Sequence, residues 1–440
     1  MTFVNKKETL PPGSFGFPLL GETLSLINDS KFLEKRQKLY GPIFKTKIFD
    51  RPTAVMVGYE ANQFIFSSHA DHFSTEGWPD NFKALFGKQA LIFQEGEEHR
   101  RSRKLLTPTL HGSALANYLA TIEEISLTYL QAWEQMESVT WFPELRKMTI
   151  EIACQLLLGS KSREDNERLC QWFLEITAGL LSLPTPWSWT PFGRALQARK
   201  QTLAYIEKAM DLRRKSPTKD VLGMLMETKD ENGKGLSDDE IKSQAFSLFI
   251  GTIANTASML TSLCMVLAQH PDILVKVKDE QQQIVNESPL TLENLKQMVY
   301  VDRVLKEIER CYPPIPSGYR RVLKPFVFKD YYIPQGWNVM YSIIGTHKDS
   351  RIYSEPERFD PDRFAPEQIS NKTVDYSLVG FGGGTHSCIG IAFAKTLIKV
   401  FASHLLGKYN WELLPNQNLT FKVIPILHPH SGLKVKIYKV

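Results

Sequence analysis

The chain has 440 residues, of which 42% are hydrophobic and 23% charged, with 26 Gly and 25 Pro. These are ordinary globular proportions and exclude a collagen-like or disordered chain. Lys plus Arg exceed Asp plus Glu by 53 to 48, a net +5, too small a surplus over this length to point to a nucleic-acid partner.

In chain order, the opening MTFVNKKETLPPGSFGFPLLGETLSLI begins polar. Its later apolar stretch is broken by Pro18, Gly21 and Glu22, well short of the ~20 residues that span a bilayer. The expectation is a cytoplasmic protein with neither signal peptide nor membrane anchor. Segments 43–48 and 53–57 are rich in β-branched residues and Gly58 ends the second, which predicts a small hairpin. From about 97 to 310 the pattern turns helical. Stretches 112–137, 140–158, 194–214 and 238–269 carry apolar residues at three- and four-residue spacing, so they are predicted as helices. Between them, LSLPTPWSWTPF (181–192) holds three prolines and three aromatics and is no regular helix; it reads either as a lid over a pocket or as a buried connection. Short β signals return at 319–339 and from 419 onward. With no repeat, low-complexity tract or Gly/Ser linker, the expectation is one domain over 1–440, mostly α with small peripheral β-sheets.

Five cysteines, Cys154, Cys170, Cys264, Cys311 and Cys388, form no CxxC pair and have an odd total, so neither a disulfide framework nor a zinc site is expected, and a reducing compartment fits. Cys388 stands apart because Phe381-Gly-Gly-Gly-Thr-His-Ser-Cys388-Ile-Gly390 precedes a helical run at 391–406. Glycines let backbone approach a flat ligand, and a helix N-terminus favours thiolate over thiol. A hydrogen-bonded thiolate is what a haem iron takes as axial ligand. Standing alone, such a cysteine would be read as a buried, inert thiol.

The surroundings decide between these readings. Phe381, Gly384, His386, Cys388 and Gly390 resemble the FxxGxHxCxG haem-binding signature of the cytochrome P-450 family. Glu307-Ile-Glu-Arg310 resembles its ExxR motif, Pro356-Glu-Arg358-Phe359 its PERF motif, and His99-Arg-Arg-Ser-Arg103 its propionate-binding helix. The resemblance runs through the whole chain and stands nearest the branch with retinoic acid hydroxylases and their cyanobacterial relatives. It implies the cytochrome P-450 fold and haem b (iron protoporphyrin IX) ligated by Cys388. It also implies propionate partners at His99, Arg103, Arg320 and His386, and a buried structural triad of Glu307, Arg310 and Arg358.

One part of the resemblance breaks. Where the family's distal helix carries an acid-alcohol pair that delivers protons during dioxygen activation, this chain has Ala254 and Asn255, with Thr252 and Thr256 nearby. Alanine carries no proton and a neutral amide relays one poorly. Asn255, Thr252 and Thr256 are therefore the catalytic candidates, the threonines substituting through water if the helix bulges by one residue. The resemblance maps the family's substrate-contact regions onto 73–93, 181–192, 251–256, 314–318 and 424–427 as candidate pocket walls, whose aromatic and aliphatic side chains imply a small lipophilic or aromatic substrate. Arg100, Arg101, Lys104, Lys395 and Lys399 flank elements that the resemblance assigns to the family's proximal face, and are either a docking face for an acidic ferredoxin or flavodoxin or a solvated charged surface. Three reactions stay open: monooxygenation, oxidative coupling of phenol or indole rings without oxygen insertion, and peroxide-driven oxidation or peroxide rearrangement. A haem protein that only binds gas is the non-enzymatic alternative.

Overall fold

The structure, a computed structural model, describes residues 9–18, 21–160, 162–284, 289–369 and 374–440; the polar opening at residues 1–8 lies outside them. Two compact units are present. The first comprises Met1–Pro79, Ile315–Phe359 and Pro366–Ser387, and the second Asp80–Pro314, Asp360–Ala365 and Cys388–Val440.

The first unit is built on a five-stranded sheet. The expected hairpin is there: β1 (Ile43–Ile48) and β2 (Arg51–Val57) pair antiparallel in the register Ile43 to Met56. Gly58 follows β2 at φ 112°, a conformation that side-chain-bearing residues avoid. With β3 (Phe73–Ser74), β4 (Ser317–Val322) and β5 (Asn338–Ser342), the strand order is β1-β2-β5-β4-β3. β2 and β5 run parallel, and both are continuous buried runs, as a strand covered on both faces must be. Phe64, Phe66, Phe73, Phe326 and Tyr341 fill the core beside this sheet.

The second unit is helical. Its main helices are α1 (Gly96–Leu110), α2 (Ala114–Glu134), α3 (Trp141–Leu158), α4 (Arg163–Gly179), α5 (Pro191–Lys215), α6 (Asp238–Gln269), α7 (Val299–Cys311) and α8 (Ile391–Lys408). α6 starts as the sequence dictates: Ser237 Oγ accepts from Glu240 N–H, the Glu240 carboxylate accepts from Ser237 N–H, and Asp238 and Asp239 complete an acidic first turn. It is apolar enough to cross a membrane by composition, but 78% of its most apolar window is buried in the fold. α5 begins three residues before its predicted start because Pro191, a breaker inside helices, sits at the first turn, where its missing N–H is no loss. α8 packs on α2 through Trp133 against Phe401 and Tyr118 against Phe393. Trp133 is fully buried, so Trp133→Ala would cost about 3–5 kcal/mol.

Segment 181–192 matches neither of its two readings in full. Its ends are fixed: Asn81 Nδ2 donates to the Gly179 and Ser182 carbonyls, and Phe192 packs with Leu85, Leu180 and Ala195. Its middle is exposed, with Leu183, Trp187 and Trp189 facing solvent and the two indoles stacked at 5.4 Å. The buried connection is thereby corrected to a pinned, surface-facing strap.

Candidate active site

Cys388 opens the second unit's final segment, three residues before α8. It is the exposed member of the five cysteines, Cys154 and Cys264 being buried and Cys170 and Cys311 half-buried. Although accessible, its sulfur is recessed, and burial pushes the thiol above its usual range. The Gly390 N–H and the charge of Arg103 pull the other way, while Glu309 adds to the rise. The expected preference for thiolate is thus outweighed by burial, and a cation at the sulfur is what would deprotonate it. Arg103 and His99 lie four residues apart on α1 and so share a face; His99 is buried and Arg103 half-buried.

Of the expected signature, Gly390 stays with Cys388 in the second unit, and Phe381, Gly384 and His386 belong to the first. Gly382 and Gly384 adopt φ 76° and 62°. A Cβ on Gly383 would lie 2.6 Å from the Phe66 ring, and one on Gly384 would lie 2.5 Å from the Phe66 carbonyl oxygen. No other residue fits this loop. Arg320, on β4, holds its guanidinium 5.8 Å from the centre of the same Phe66 ring and 5.7 Å from that of Tyr341, and donates to the Tyr319 carbonyl. Gly77 makes room for it, since a Cβ there would come within 2.4 Å of the Arg320 backbone. Phe381 and His386 are half-buried, and His386 Nδ1 is 3.2 Å from Thr385 Oγ1.

Glu307 and Arg310 form the buried pair expected of them, both side chains having 0% exposure. Arg310 Nε and Nη2 contact the two carboxylate oxygens at 2.8 and 2.7 Å, a bidentate fork. The second arginine is not Arg358, whose side chain is 65% exposed and pairs with Glu355 at 3.2 Å. It is Arg363, 10% exposed, with Nε 3.0 Å from Glu307 Oε1. The physical reason is local: Pro361–Phe364 forms a tight turn packed on α7, capped by Asp360, whose own N–H donates to Glu307 at 2.8 Å. Arg358 lies outside that turn. Cys311 borders the cluster, and burial together with the Glu307 charge pushes its thiol up to about 12.

On α6 the expected catalytic residues separate. The helix is continuous from Asp238 to Gln269, without the one-residue bulge that would bring a threonine into register. In its middle, Gly251 is exposed and Thr252, Ala254 and Asn255 half-buried, whereas Ile253 and Thr256 face the core. Thr256 is therefore on the wrong side. Asn255 Nδ2 donates to the Gly251 carbonyl at 2.9 Å, leaving its Oδ1 without a hydrogen-bond partner among the described residues. Several expected pocket walls meet this helix. Gln244 exchanges hydrogen bonds with the backbone of Gln89 and Leu91, Phe86 stacks edge-on against Phe246, and Ser258 Oγ donates to the Leu427 carbonyl, whose N–H reaches the Pro314 carbonyl at 3.0 Å.

The expected basic docking face is mostly committed elsewhere. Arg101 binds Asp230, Glu240 and the Gly235 carbonyl, Lys104 pairs with Glu231, Arg100 with Glu97, and Lys399 is buried on Asp302 and the Leu295 carbonyl. Two groups that no sequence signal marked are Arg363, hidden behind the PERF look-alike five residues earlier, and His111, whose Nε2 lies 2.9 Å from the Ile389 carbonyl oxygen.

These donors fit haem. Cys388 is a single soft donor, and among the described residues no three His, Cys, Asp or Glu side chains cluster to hold a bare ion. A metal bound here must bring its other ligands with it, as haem iron does. The comparisons with known proteins agree. The family model described as Cytochrome P450 matches residues 11–437. The chain is 39% identical over 433 residues to cytochrome P450 120 of Synechocystis sp., covering 98% of this chain and 97% of that one. It is 34% identical over 447 residues to human cytochrome P450 26B1, covering 98% and 87%. A solved structure titled as a cyanobacterial CYP120A1 with retinoic acid bound superposes with a TM-score of 0.93 at 38% identity, covering 99% of this chain and 100% of that one.

Proposed function

The chain belongs to the cytochrome P450 family, whose cofactor is haem b on a cysteine thiolate, and from that premise we propose a monooxygenase that hydroxylates an extended lipophilic molecule of the retinoid class. Residues 1–440 are taken as one catalytic domain, a reading supported by the uninterrupted match over 11–437. The observation that carries the proposal is the recessed but accessible Cys388 sulfur, held by the Gly390 N–H beside Arg103. When bound, haem supplies the oxidising chemistry; the chain supplies position and surroundings. Cys388 ligates the iron, His99, Arg103, Arg320 and His386 take the propionates, and Glu307 with Arg310 and Arg363 keeps the surrounding backbone fixed. The open stretch of α6, Gly251 to Asn255, has no charged side chain and suits an apolar substrate. The retinoid class comes from the relative whose structure has retinoic acid bound. A ferredoxin or flavodoxin as electron donor and a cytoplasmic setting complete the reading.

A second reading, peroxide-driven oxidation, is favoured by one observation: Asn255 is tied into the helix groove and Thr256 faces the core, so neither stands ready to relay a proton from α6. The test is a spectral-shift screen of the purified protein against retinoids, terpenoids, fatty acids, phenols and indoles. Hits are then turned over with labelled dioxygen and with hydrogen peroxide. Label in a hydroxylated retinoid supports the proposal. A dimeric product without label means ring coupling, and a retinoid that neither shifts the spectrum nor is consumed removes the substrate class.

A further inference from the structure

His111 closes α1, the helix that also carries His99 and Arg103. Its Nε2 lies 2.9 Å from the carbonyl oxygen of Ile389. A carbonyl oxygen only accepts, so this contact fixes the tautomer: Nε2 carries the hydrogen. The carbonyl belongs to the peptide between Ile389 and Gly390, and the N–H of that same peptide donates to the Cys388 sulfur. One amide thus takes a hydrogen bond at its oxygen and gives one at its nitrogen. Donation to the oxygen draws electron density from the nitrogen and strengthens the N–H as a donor, the cooperative effect of hydrogen bonds in series. The following peptide, Gly390 to Ile391, is held by ordinary helix, with Ala394 N–H on the Gly390 carbonyl at 2.9 Å.

We infer that His111 is a positioning residue that tunes the donor strength of the Cys388 sulfur through the Ile389–Gly390 peptide. The inference rests on the reading of Cys388 as the haem ligand. A stronger N–H to sulfur withdraws charge from the thiolate, which weakens its bond to iron and makes reduction of the haem easier. Without the imidazole, the sulfur donates more fully.

The experiment compares haem-loaded wild type, His111→Leu, which removes the donor at similar size, and His111→Gln, whose amide can still donate. The readouts are the iron–sulfur stretching frequency by resonance Raman and the haem reduction potential. In His111→Leu the stretch rises and the potential falls; in His111→Gln both return toward wild type. If His111→Leu fails to retain haem while His111→Gln retains it, the donor is again what matters and the inference stands. Wild-type values in both variants, or equal shifts or equal haem loss in both, overturn it. A wild type whose reduced carbon monoxide complex lacks the thiolate band would instead defeat the reading of Cys388, and so the two failures are told apart.

Discussion

The cysteine side of the helical unit and the middle of α6 are opposites. Around Cys388 the polar groups are committed: Gly390 N–H to sulfur, His111 to the next carbonyl, and Glu307 to two arginines and a backbone N–H. Along Gly251 to Asn255 the helix is open, and the Asn255 Oδ1 has no partner among the described residues. Holding a cofactor is one task with one solution, and a saturated network enforces it. Choosing a reaction is left to a few uncommitted side chains.

The largest effect expected is at the saturated end. Cys388→Ala should abolish the thiolate band of the reduced carbon monoxide complex; a variant that keeps it shows that another group ligates iron. Next, Glu307→Ala should lower stability by about 3–5 kcal/mol, because it removes the carboxylate that the buried Arg310 shares with Arg363. Arg363→Ala should lower it by about 1.5–3 kcal/mol, because Glu307 keeps its Arg310 fork and loses one charged hydrogen bond. Arg358→Ala should stay within about 0.5 kcal/mol. Thermal melts with haem occupancy measure all three, and equal losses at Arg358 and Arg363 would erase the distinction between them.

At the open end, Asn255→Thr combined with Ala254→Glu should leave haem loading unchanged. It should raise reductase-driven turnover relative to peroxide by about 100-fold, the low end of what a positioned proton donor contributes. Parallel turnover of one substrate with each oxidant reads this ratio. A wild type already tightly coupled to its reductase, and losing that on Thr252→Ala, would assign the relay to Thr252.

The smallest effect is on pH dependence, and it touches both regions. His404, on the cysteine helix beside Glu123, and His428, in the segment joined to α6 through Leu427, are both held below the usual imidazole range by burial. The unfolded chain takes up these protons near pH 6.5 and the folded one only lower, so stability falls as pH drops below about 6.5. Melting temperatures between pH 7.5 and 5.5 should fall less in His404→Gln and His428→Gln than in wild type.

The hairpin at 43–57, the long helix 238–269 and the special standing of Cys388 were legible in sequence because each is a local pattern: β-branched runs ended by a glycine, apolar residues at helical spacing, glycines before a helix. The choice between Arg358 and Arg363 was not. Pro356-Glu-Arg358-Phe359 and Pro361-Asp-Arg363-Phe364 repeat one pattern five residues apart, and only the packing of the second turn on α7 separates them. His111 left no trace at all, since its partner is a backbone carbonyl 278 residues away. The orientation of Asn255 was equally hidden, because it depends on a fraction of a helical turn.

The strap at 181–192 has an optical consequence. Of eight tryptophans, Trp187 and Trp189 are the exposed ones, stacked on each other, while Trp133, Trp141 and Trp411 are buried and Trp78, Trp172 and Trp337 lie between. A water-borne quencher such as iodide reaches this pair first, and the red edge of the protein's emission comes from it. The strap therefore carries its own reporter, and any ligand or partner that covers it would blue-shift and protect that light without a label being added.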